Sequence, residues 1–251
     1  MARACAILGL VAEASPPSRV AAIARRLGIP RNTTYELVNT LCDEHCLEVA
    51  ADGTVRLGFR LFELGSAYAQ SLDLIREART AARELVARCN ETCHVARLDG
   101  RNVVYLVKEE GNQFVRMSSA VGHRLPAHGT AVGKVLLANL PREELAGMLA
   151  GATLEKMTPN TITDPEELYR ELDRTRDRGF ATDHEESTPQ VRCVGAAVWD
   201  ASGCVVAAIS VSVLASNMGS LREGELAALV VEAADRLSRR LGYGSRGDRT
   251  G

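Results

Sequence analysis

Residues 20–58 read VAAIARRLGIPRNTTYELVNTLCDEHCLEVAADGTVRLG, and this stretch decides the fold of the N-terminal part of the chain. Its first eight residues carry apolar side chains at helical spacing, at Ala21, Ile23, Ala24 and Leu27. Gly28 then supplies a helix stop, and Pro30, with its preset φ angle and missing N–H, suits the first turn of a second helix. The sequence therefore predicts two helices joined by a sharp turn.

A β-ribbon is predicted directly after these helices. Residues 46–50 and 54–57 have the composition of short strands, and Asp52 and Gly53 between them favour a tight hairpin. Arg56 on the second strand is placed to meet a DNA backbone. Helix, turn, helix and ribbon together are the order of a winged helix-turn-helix, which points to DNA.

The second helix predicts a surface that faces a DNA groove. Its apolar repeat faces inward, and consists of Thr34, Leu37, Val38, Leu41 and Cys42. Arginine and asparagine at the exposed start of such a helix reach guanine and adenine edges, or phosphates, in a major groove. The residues predicted to contact double-stranded DNA are Arg25, Arg26, Arg31, Asn32, Thr33, Tyr35, Glu36, Asn39 and Arg56. A helical hairpin with a glycine turn and one polar face also occurs without nucleic-acid binding.

Charge supports DNA binding only locally. Residues 1–60 contain seven basic and six acidic residues, and the whole chain has a formal net charge of -2. No broad cationic field therefore attracts polyanions, although Arg25, Arg26 and Arg31 bracket the turn. This arrangement predicts weak non-specific binding and a dependence on two half-sites bound by a dimer.

Composition and cysteine usage predict a cytoplasmic protein with no contact to a membrane. The 251 residues are 46% hydrophobic and 25% charged, and no apolar run approaches the roughly 18 residues of a transmembrane helix. Seven cysteines at irregular spacing argue against a disulfide framework and for a reducing compartment. Residues 1–14 resemble a weak signal peptide. The first helix of the DNA-binding domain, however, needs the apolar stripe in this segment, which is Ile7, Leu8, Leu10 and Val11.

Two groups of cysteine and histidine raise the question of a metal site. They are Cys42, His45 and Cys46, and Cys89, Cys93 and His94. Three ligands on one turn suit zinc, but neither group has an obvious fourth ligand or the paired spacing of a zinc finger. We therefore predict neither a metal nor another cofactor.

From residue 74 onward the sequence predicts a helix, followed from residue 92 by strands in hairpins and further helices. Strands are predicted in residues 95–98, 103–107, 114–117, 196–199 and 205–213. Helices are predicted in residues 74–90, 129–140, 142–149, 165–178 and 222–241. Strands in hairpins with helices grouped between them are typical of an α+β domain.

Five segments resemble the IclR family of bacterial transcription regulators, over nearly the full chain. In order from residue 23 to 212 they read IARRLGIPRNTTYELVNTL, DGTVRLGFRLFELG, RMSSAVGHRLPAHGTAVGKVLLA, RGFATDHEESTPQVRCVGAAVWDASG and VVAAISVS. The resemblance implies an α+β fold in which an N-terminal winged helix-turn-helix domain is joined by a linker helix to a GAF-like effector-binding domain with an antiparallel sheet. It also implies homodimers or homotetramers, and control of transcription by a small carboxylic or aromatic acid.

The expected domain boundaries follow from this architecture and from composition. Residues 1–58 form the DNA-binding domain, 59–72 the linker helix and 73–243 the effector-binding domain. Residues 244–251 are small and polar, and we expect them to be a mobile tail.

The residues themselves indicate where an acidic effector would bind. The helix predicted near Gly129 offers N–H groups to an anion at its start, and the glycine allows close backbone approach. Ser210 and Ser212 alternate with apolar residues, so both hydroxyls face one side of a strand, where a ligand, water or backbone could satisfy them. The effector contacts that the resemblance implies are Gly129, Thr130, Ala131, Asp183, Cys193, Ser210 and Ser212, with Met117 and Leu125 as apolar walls.

Some positions depart from the family pattern. Glu36 stands where a basic or polar residue is usual, so an acceptor faces the groove and the base preference is expected to differ. Asn32 replaces a usual serine in the same helix. Three further departures alter the expected pocket shape, at His184, Gln190 and Ala197.

Two alternative functions would use Cys193. With His184 and Glu185 or Glu186 it offers the residue types of a nucleophile, a base and an orienting acid, but no nucleophile motif surrounds it. We therefore predict no enzyme activity. A thiol in an effector pocket would also suit a redox-sensing regulator. The main interpretation remains a DNA-binding regulator that responds to a small metabolite.

Overall fold

The computed structural model describes residues 1–70, 73–111 and 119–244. The chain divides into two compact units, Met1–Leu72 and Asp73–Gly251. The strand predicted in residues 114–117, the predicted effector contact Met117 and the expected tail from residue 245 onward lie outside the described residues.

The N-terminal unit starts with three helices, α1 (Ala2–Glu13), α2 (Val20–Leu27) and α3 (Arg31–Asp43). Strands β1 (Leu47–Val49) and β2 (Val55–Leu57) follow as an antiparallel pair, and α4 (Phe59–Gln70) comes last. This order confirms the predicted helix-turn-helix and its β-ribbon. The core of the unit consists of Ile7, Val11, Val20, Ile23, Val38, Leu47 and Val55.

The turn between α2 and α3 forms for the reason that the sequence suggests. Gly28 has a φ angle of 63°, in the left-handed region that glycine enters without steric cost, and this ends α2. Pro30 immediately precedes α3, where its carbonyl accepts a hydrogen bond from the N–H of Thr34 at 3.0 Å. The two helices are thereby joined over three residues.

Among the described residues, the C-terminal unit contains a six-stranded antiparallel sheet. Its strands are β3 (Thr92–Asp99), β4 (Asn102–Glu109), β5 (Arg124–Pro126), β6 (Ala181–His184), β7 (Val191–Trp199) and β8 (Val205–Leu214). Their order across the sheet is β5-β4-β3-β8-β7-β6. This mixed arrangement confirms the predicted α+β class.

Helices cover the sheet. They are α5 (Asp73–Cys89), α6 (Ala131–Ala138), α7 (Arg142–Leu149), α8 (Pro165–Arg178) and α9 (Ser220–Arg240). Helices α5 and α9 contact each other and the central strands, whereas α6 contacts β3, β4, β6, β7 and β8. Ala208 of β8 belongs to the same apolar cluster as Val132 and Val135 of α6. Ser210 and Ser212 therefore face the α6 side too, because side chains on a strand alternate.

The structure differs from the sequence prediction in four strands and one helix start. Strands β3 and β7 begin at residues 92 and 191, not at 95 and 196, and β5 and β6 were not predicted. Strand β5 has only three residues and ends in a proline, and β6 has the sequence ATDH, so neither shows apolar alternation. Helix α6 begins at Ala131, not at residue 129, because residues Ala127–Gly129 form a 3₁₀ turn. None of the described helices combines the length and apolar character that a membrane crossing requires.

Candidate functional site

Helix α3 presents a polar face to solvent. Thr34 and Val38 are buried, while the predicted DNA contacts on the other side of the helix, Arg31, Asn32, Tyr35, Glu36 and Asn39, are exposed and Thr33 is half-buried. The Thr34 hydroxyl donates to the carbonyl of Pro30 at 3.1 Å and so fixes the first turn. The guanidinium of Arg31 lies 5.8 Å from the centre of the Tyr35 ring, within the range of a cation–π contact.

The arginines of this unit that are predicted to meet DNA are also exposed, and they are Arg25, Arg26, Arg31 and Arg56. Among the described residues, no carboxylate forms an ion pair with any of them. Hydrogen bonds from Thr54 are the main reason why the pKa of the Asp52 carboxyl is lowered, and the charge of Arg56 adds a smaller effect at longer range. The positive charges are therefore available to phosphates, and DNA contact by these residues stays a prediction.

A small cavity lies against the α6 side of the sheet in the C-terminal unit. Its volume is about 100 Å³, and its described lining is His94, Tyr105, Ser119, His123, Leu125, Ser187, Thr188, Val191, Cys193 and Ser212. Strand register explains the grouping, because Cys193 of β7 pairs with Ser212 of β8, and His94 of β3 pairs with Ser210 of β8. The cavity therefore collects polar side chains from neighbouring strands.

Hydrogen bonds join four of these side chains into one chain. The Cys193 thiol donates to the Ser212 hydroxyl at 3.2 Å, and that hydroxyl lies 3.3 Å from His94 Nδ1. On the other side of the ring, His94 Nε2 lies 2.7 Å from the Ser119 hydroxyl. Burial, more than the nearby charge of Lys108, lowers the pKa of His94 to about 4, so the ring is neutral at pH 7.

Asp183 lies next to the cavity and holds the loop after β6. It is fully buried, its Oδ1 accepts from the N–H of Glu186 and its Oδ2 from the hydroxyl of Ser187, both at 2.7 Å. Burial raises the pKa of this carboxyl to about 6, although the two hydrogen bonds favour the charged form. Because Ser187 lines the cavity, Asp183 fixes one of its walls.

The same loop is tied to α6 by a buried ion pair. Lys134 Nζ donates to Glu186 Oε1 at 2.6 Å, and the two side chains are only 1% and 8% exposed. A buried pair of this kind is strongly destabilising to break, because the remaining charge loses its partner. The loop and the helix are therefore expected to move together.

The start of α6 is occupied by protein groups. The Thr130 hydroxyl accepts from the N–H of Gly133 at 3.0 Å and caps the helix. Gly195 of β7 packs against this end, since a Cβ there would lie 3.2 Å from the backbone nitrogen of Val132. Gly129, Thr130 and Ala131 are buried.

The predicted effector residues thus fall into three groups. Leu125, Cys193 and Ser212 belong to the described lining of the cavity. Asp183 and Ser210 share a sheet face with them, while residues 129–131 lie at the start of α6. Effector contact by these residues stays a prediction, and Met117 lies outside the described residues.

Sequence reasoning missed seven of the described lining residues, which are His94, Tyr105, Ser119, His123, Ser187, Thr188 and Val191. The strand was predicted to start at residue 95, which left His94 outside it. A usable signal was the alternation of polar Thr92 and His94 with apolar Cys93 and Val95. The ring of Tyr105 lies 4.8 Å from that of His94, centre to centre, and closes one side of the site.

The geometry does not favour a catalytic or redox role for Cys193. His184 forms a pair with Glu223, at 2.8 Å, and not with the thiol. Burial raises the pKa of Cys193, so the thiol stays protonated and unreactive. Across the described part of the chain, no three or more His, Cys, Asp or Glu side chains are arranged to hold a metal ion.

Comparison with known proteins assigns both units. Residues 66–239 match the model of the bacterial transcriptional regulator IclR C-terminal domain, and residues 1–49 match the IclR helix-turn-helix domain. The regulator XynR of Escherichia coli (strain K12) is 36% identical over 242 residues, which cover 96% of each chain. The crystal structure of the Thermotoga maritima IclR has 32% identity and a TM-score of 0.75, and covers 96% of this chain and 97% of its own.

One solved structure contains a small acid. An IclR homolog from Microbacterium hydrocarbonoxydans, in complex with 4-hydroxybenzoate, has 26% identity to this chain and a TM-score of 0.84. The match covers 96% of this chain and 98% of that chain.

Proposed function

Because the chain belongs to the IclR family of ligand-responsive transcriptional regulators, we propose that it binds operator DNA as a homo-oligomer and that a small organic acid, bound in the C-terminal unit, controls this binding. It acts in the cytoplasm, because bacterial DNA is located there. The N-terminal unit reads the operator through α3 and contacts its backbone through α2 and the wing. The oligomer is needed because a single near-neutral unit offers few phosphate contacts.

One observation carries the proposal: the polar cavity lies in a different unit from the exposed arginines. A molecule that fills the cavity cannot compete with DNA for the same side chains. Its effect on DNA binding must then be a coupling between two sites, which is the definition of allosteric control.

The cavity supports a compact effector. Its volume of about 100 Å³ is below the roughly 150 Å³ of an apolar cavity that holds benzene. A related protein binds 4-hydroxybenzoate, and an acid of that size requires the present cavity to widen. Small aliphatic acids fit the described shape, with Ser119 and Ser212 as hydrogen-bond donors.

The coupling we propose runs through α4. Residues 59–72 act as the linker between the two domains, and effector binding changes the geometry of the oligomer through this helix. The spacing between the α3 helices of two subunits then no longer matches the spacing of the two half-sites. An effector that binds one geometry better than the other shifts the population by that difference in affinity.

A selection from genomic DNA tests this function even though the operator sequence is unknown. Fragments of the host genome that the full-length protein retains are sequenced, and each complex is then exposed to a panel of small acids. We expect a recurrent two-fold symmetric site, and release or tightening by at least one acid. The absence of selective DNA binding under every condition would overturn the proposal.

A further inference from the structure

His94 occupies a position in the cavity that the proposed function does not explain. It is 3% exposed, and both ring nitrogens face hydroxyls, of Ser212 on one side and Ser119 on the other. Tyr105 packs against the ring. An imidazole that has a hydroxyl partner at each ring nitrogen can gain or lose a proton without moving.

The charged and titratable groups around His94 come from three other strands and the segment before β5. Strand β4 contributes Tyr105 and Lys108, whose Nζ donates to the carbonyl of Ser119 at 2.8 Å and pairs with Glu110 at 2.7 Å. The segment before β5 contributes His123. Strand β7 contributes the neutral thiol of Cys193, and β6 contributes the buried Asp183.

A carboxylate in this cavity needs a positive partner. The lysine next to the site is already paired with Glu110, and a second negative charge, on Asp183, lies on the same sheet face. An unpaired buried charge is costly. Of the side chains that are described as lining the cavity, only His94 and His123 are able to become cations.

Protonation of His94 would also reorient the two serines. A neutral imidazole has one N–H donor and one acceptor nitrogen, so one serine hydroxyl must donate its hydrogen to the ring. The imidazolium donates from both nitrogens, and Ser119 and Ser212 then both accept from it. The serine that had donated to the ring is thereby freed, so the O–H hydrogens of both serines are now available to the cavity.

We propose that His94 takes up one proton from solvent when a carboxylate enters the cavity, and that the resulting imidazolium holds the Ser119 and Ser212 hydroxyls as donors to that carboxylate. His94 is thus a positioning residue that selects anionic over neutral effectors. The inference rests on the proposed function, because it assumes that this cavity is the effector site. Because burial lowers the pKa of His94 to about 4, the ring is neutral at pH 6 until an anion binds beside it.

Calorimetry and imidazole NMR on the full-length protein test the proposal. The probes are acetate, lactate, benzoate and 4-hydroxybenzoate, and the uncharged amide of each acid is tested for comparison. In buffers of different ionisation heat, we expect proton uptake of up to one per site at pH 6, and no binding of the amides. The Kd should rise by up to tenfold per pH unit as pH rises toward the pKa of bound His94, because the protonated form binds. The ring resonances of one histidine should move to their protonated positions on binding.

His94→Gln keeps a hydrogen-bonding side chain but removes the titration. We expect about tenfold weaker carboxylate binding, no proton uptake and a flat pH profile in this variant. His123→Gln and Asp183→Asn are controls for the source of the proton only, since each removes another titratable group at the cavity. Both are expected to change the carboxylate affinity, but the carboxylate that still binds should bring the same proton uptake. Uptake that persists in His94→Gln, or that disappears only in a control, overturns the inference. If His94→Gln does not fold, an unshifted His94 resonance in the saturated wild type overturns it.

The two proposals fail in different ways. If no carboxylate of the panel binds, the acid-responsive function fails, and the role of His94 fails with it. If a carboxylate binds and alters DNA affinity without proton uptake, the proposed function stands and only the role of His94 is overturned.

Discussion

Arg31 is the single residue in which the predicted DNA contact can be tested most directly. It is exposed at the first position of α3, and its guanidinium lies near the Tyr35 ring, which restrains it without an ion pair. We expect Arg31→Ala to weaken operator binding by about 1–3 kcal/mol if it contacts a base edge. Fluorescence anisotropy on operator and on random DNA measures both affinities.

Arg142→Ala is the matched control for that experiment. It removes the same charge from a side chain that is 83% exposed in the other unit. We expect no change in operator affinity. An equal loss on random and operator DNA in Arg31→Ala would mark a phosphate contact and contradict base recognition by this residue.

Ser210 tests the predicted effector contacts. It is 3% exposed and pairs with both His94 and Gly195 across the sheet. We expect Ser210→Ala to leave operator binding intact and to weaken effector binding by about 1 kcal/mol, roughly fivefold, through one lost hydrogen bond. Titration calorimetry checks this, with the exposed Ser216→Ala as control. An unchanged effector affinity in both variants would remove Ser210 from the site.

The raised pKa of Asp183 leads us to expect that the stability of the fold depends on pH. Its pKa in the folded protein is raised to about 6, whereas the ordinary value is 3.8, so the folded state holds this proton more tightly than the unfolded state. The stabilisation is fully present below pH 4 and is lost as pH rises to 6, by roughly 3 kcal/mol at 1.36 kcal/mol per pKa unit. Urea unfolding of wild type and Asp183→Asn between pH 4 and 7 measures it. Parallel pH profiles for the two proteins would contradict the buried, proton-binding carboxyl.

Local sequence predicted side-chain exposure on α3 better than it predicted the cavity. The helix repeat alone identifies Thr34 and Val38 as buried and Arg31 and Asn39 as exposed, because one periodicity determines both faces. His94 meets Ser212 only through pairing between β3 and β8, strands more than 100 residues apart. The sequence around either strand does not show which residues of β3 and β8 are paired.

Helix α6 covers the face of the sheet on which the cavity lies. It contacts five strands of the sheet, β3, β4, β6, β7 and β8. Its close approach to the 3₁₀ turn requires Gly133, since a Cβ there would clash with the carbonyl of Ala127. Gly147, in α7, has no atom within 4 Å of the corresponding Cβ position. The two glycines therefore form a matched pair in neighbouring helices.

We expect the alanine variants of this pair to change stability in opposite directions. Gly147→Ala should stabilise by up to about 1 kcal/mol, because alanine is the better helix former. Gly133→Ala should destabilise by about 1–3 kcal/mol, because the new methyl group forces α6 away from the 3₁₀ turn. Thermal unfolding of the full-length protein compares them. Stabilisation by both variants would show that α6 does not pack as described.

The sequence predicted a helix or a strand correctly where the apolar residues of that element repeat at regular spacing. The helices and the long strands β4 and β8 show clear repeats, and each was predicted close to its observed bounds. Strands β5 and β6 were missed because one is too short to show alternation and the other is polar. Their place in the sheet depends on partners β4 and β7, which supply the hydrogen bonds.

For the whole molecule, near-neutral charge makes two half-sites necessary. With a formal net charge of -2, the chain gains little from non-specific attraction to DNA. We expect an operator with one scrambled half-site to bind at least tenfold more weakly than the intact operator, and sedimentation to show a dimer or tetramer on the intact site. Equal affinity for both DNAs with one chain bound would contradict the proposed oligomer.

Ligand control of DNA binding is tested most directly by the operator affinity of the full-length protein with and without a saturating carboxylate effector. Calorimetry on the wild type and on Ser210→Ala first establishes that the ligand occupies the C-terminal unit, and anisotropy then gives the Kd for DNA in both states. We predict a change of about 5- to 150-fold, the range of a coupling free energy of about 1–3 kcal/mol. An unchanged operator Kd at full occupancy of the cavity would contradict the claim that this protein is a ligand-controlled regulator.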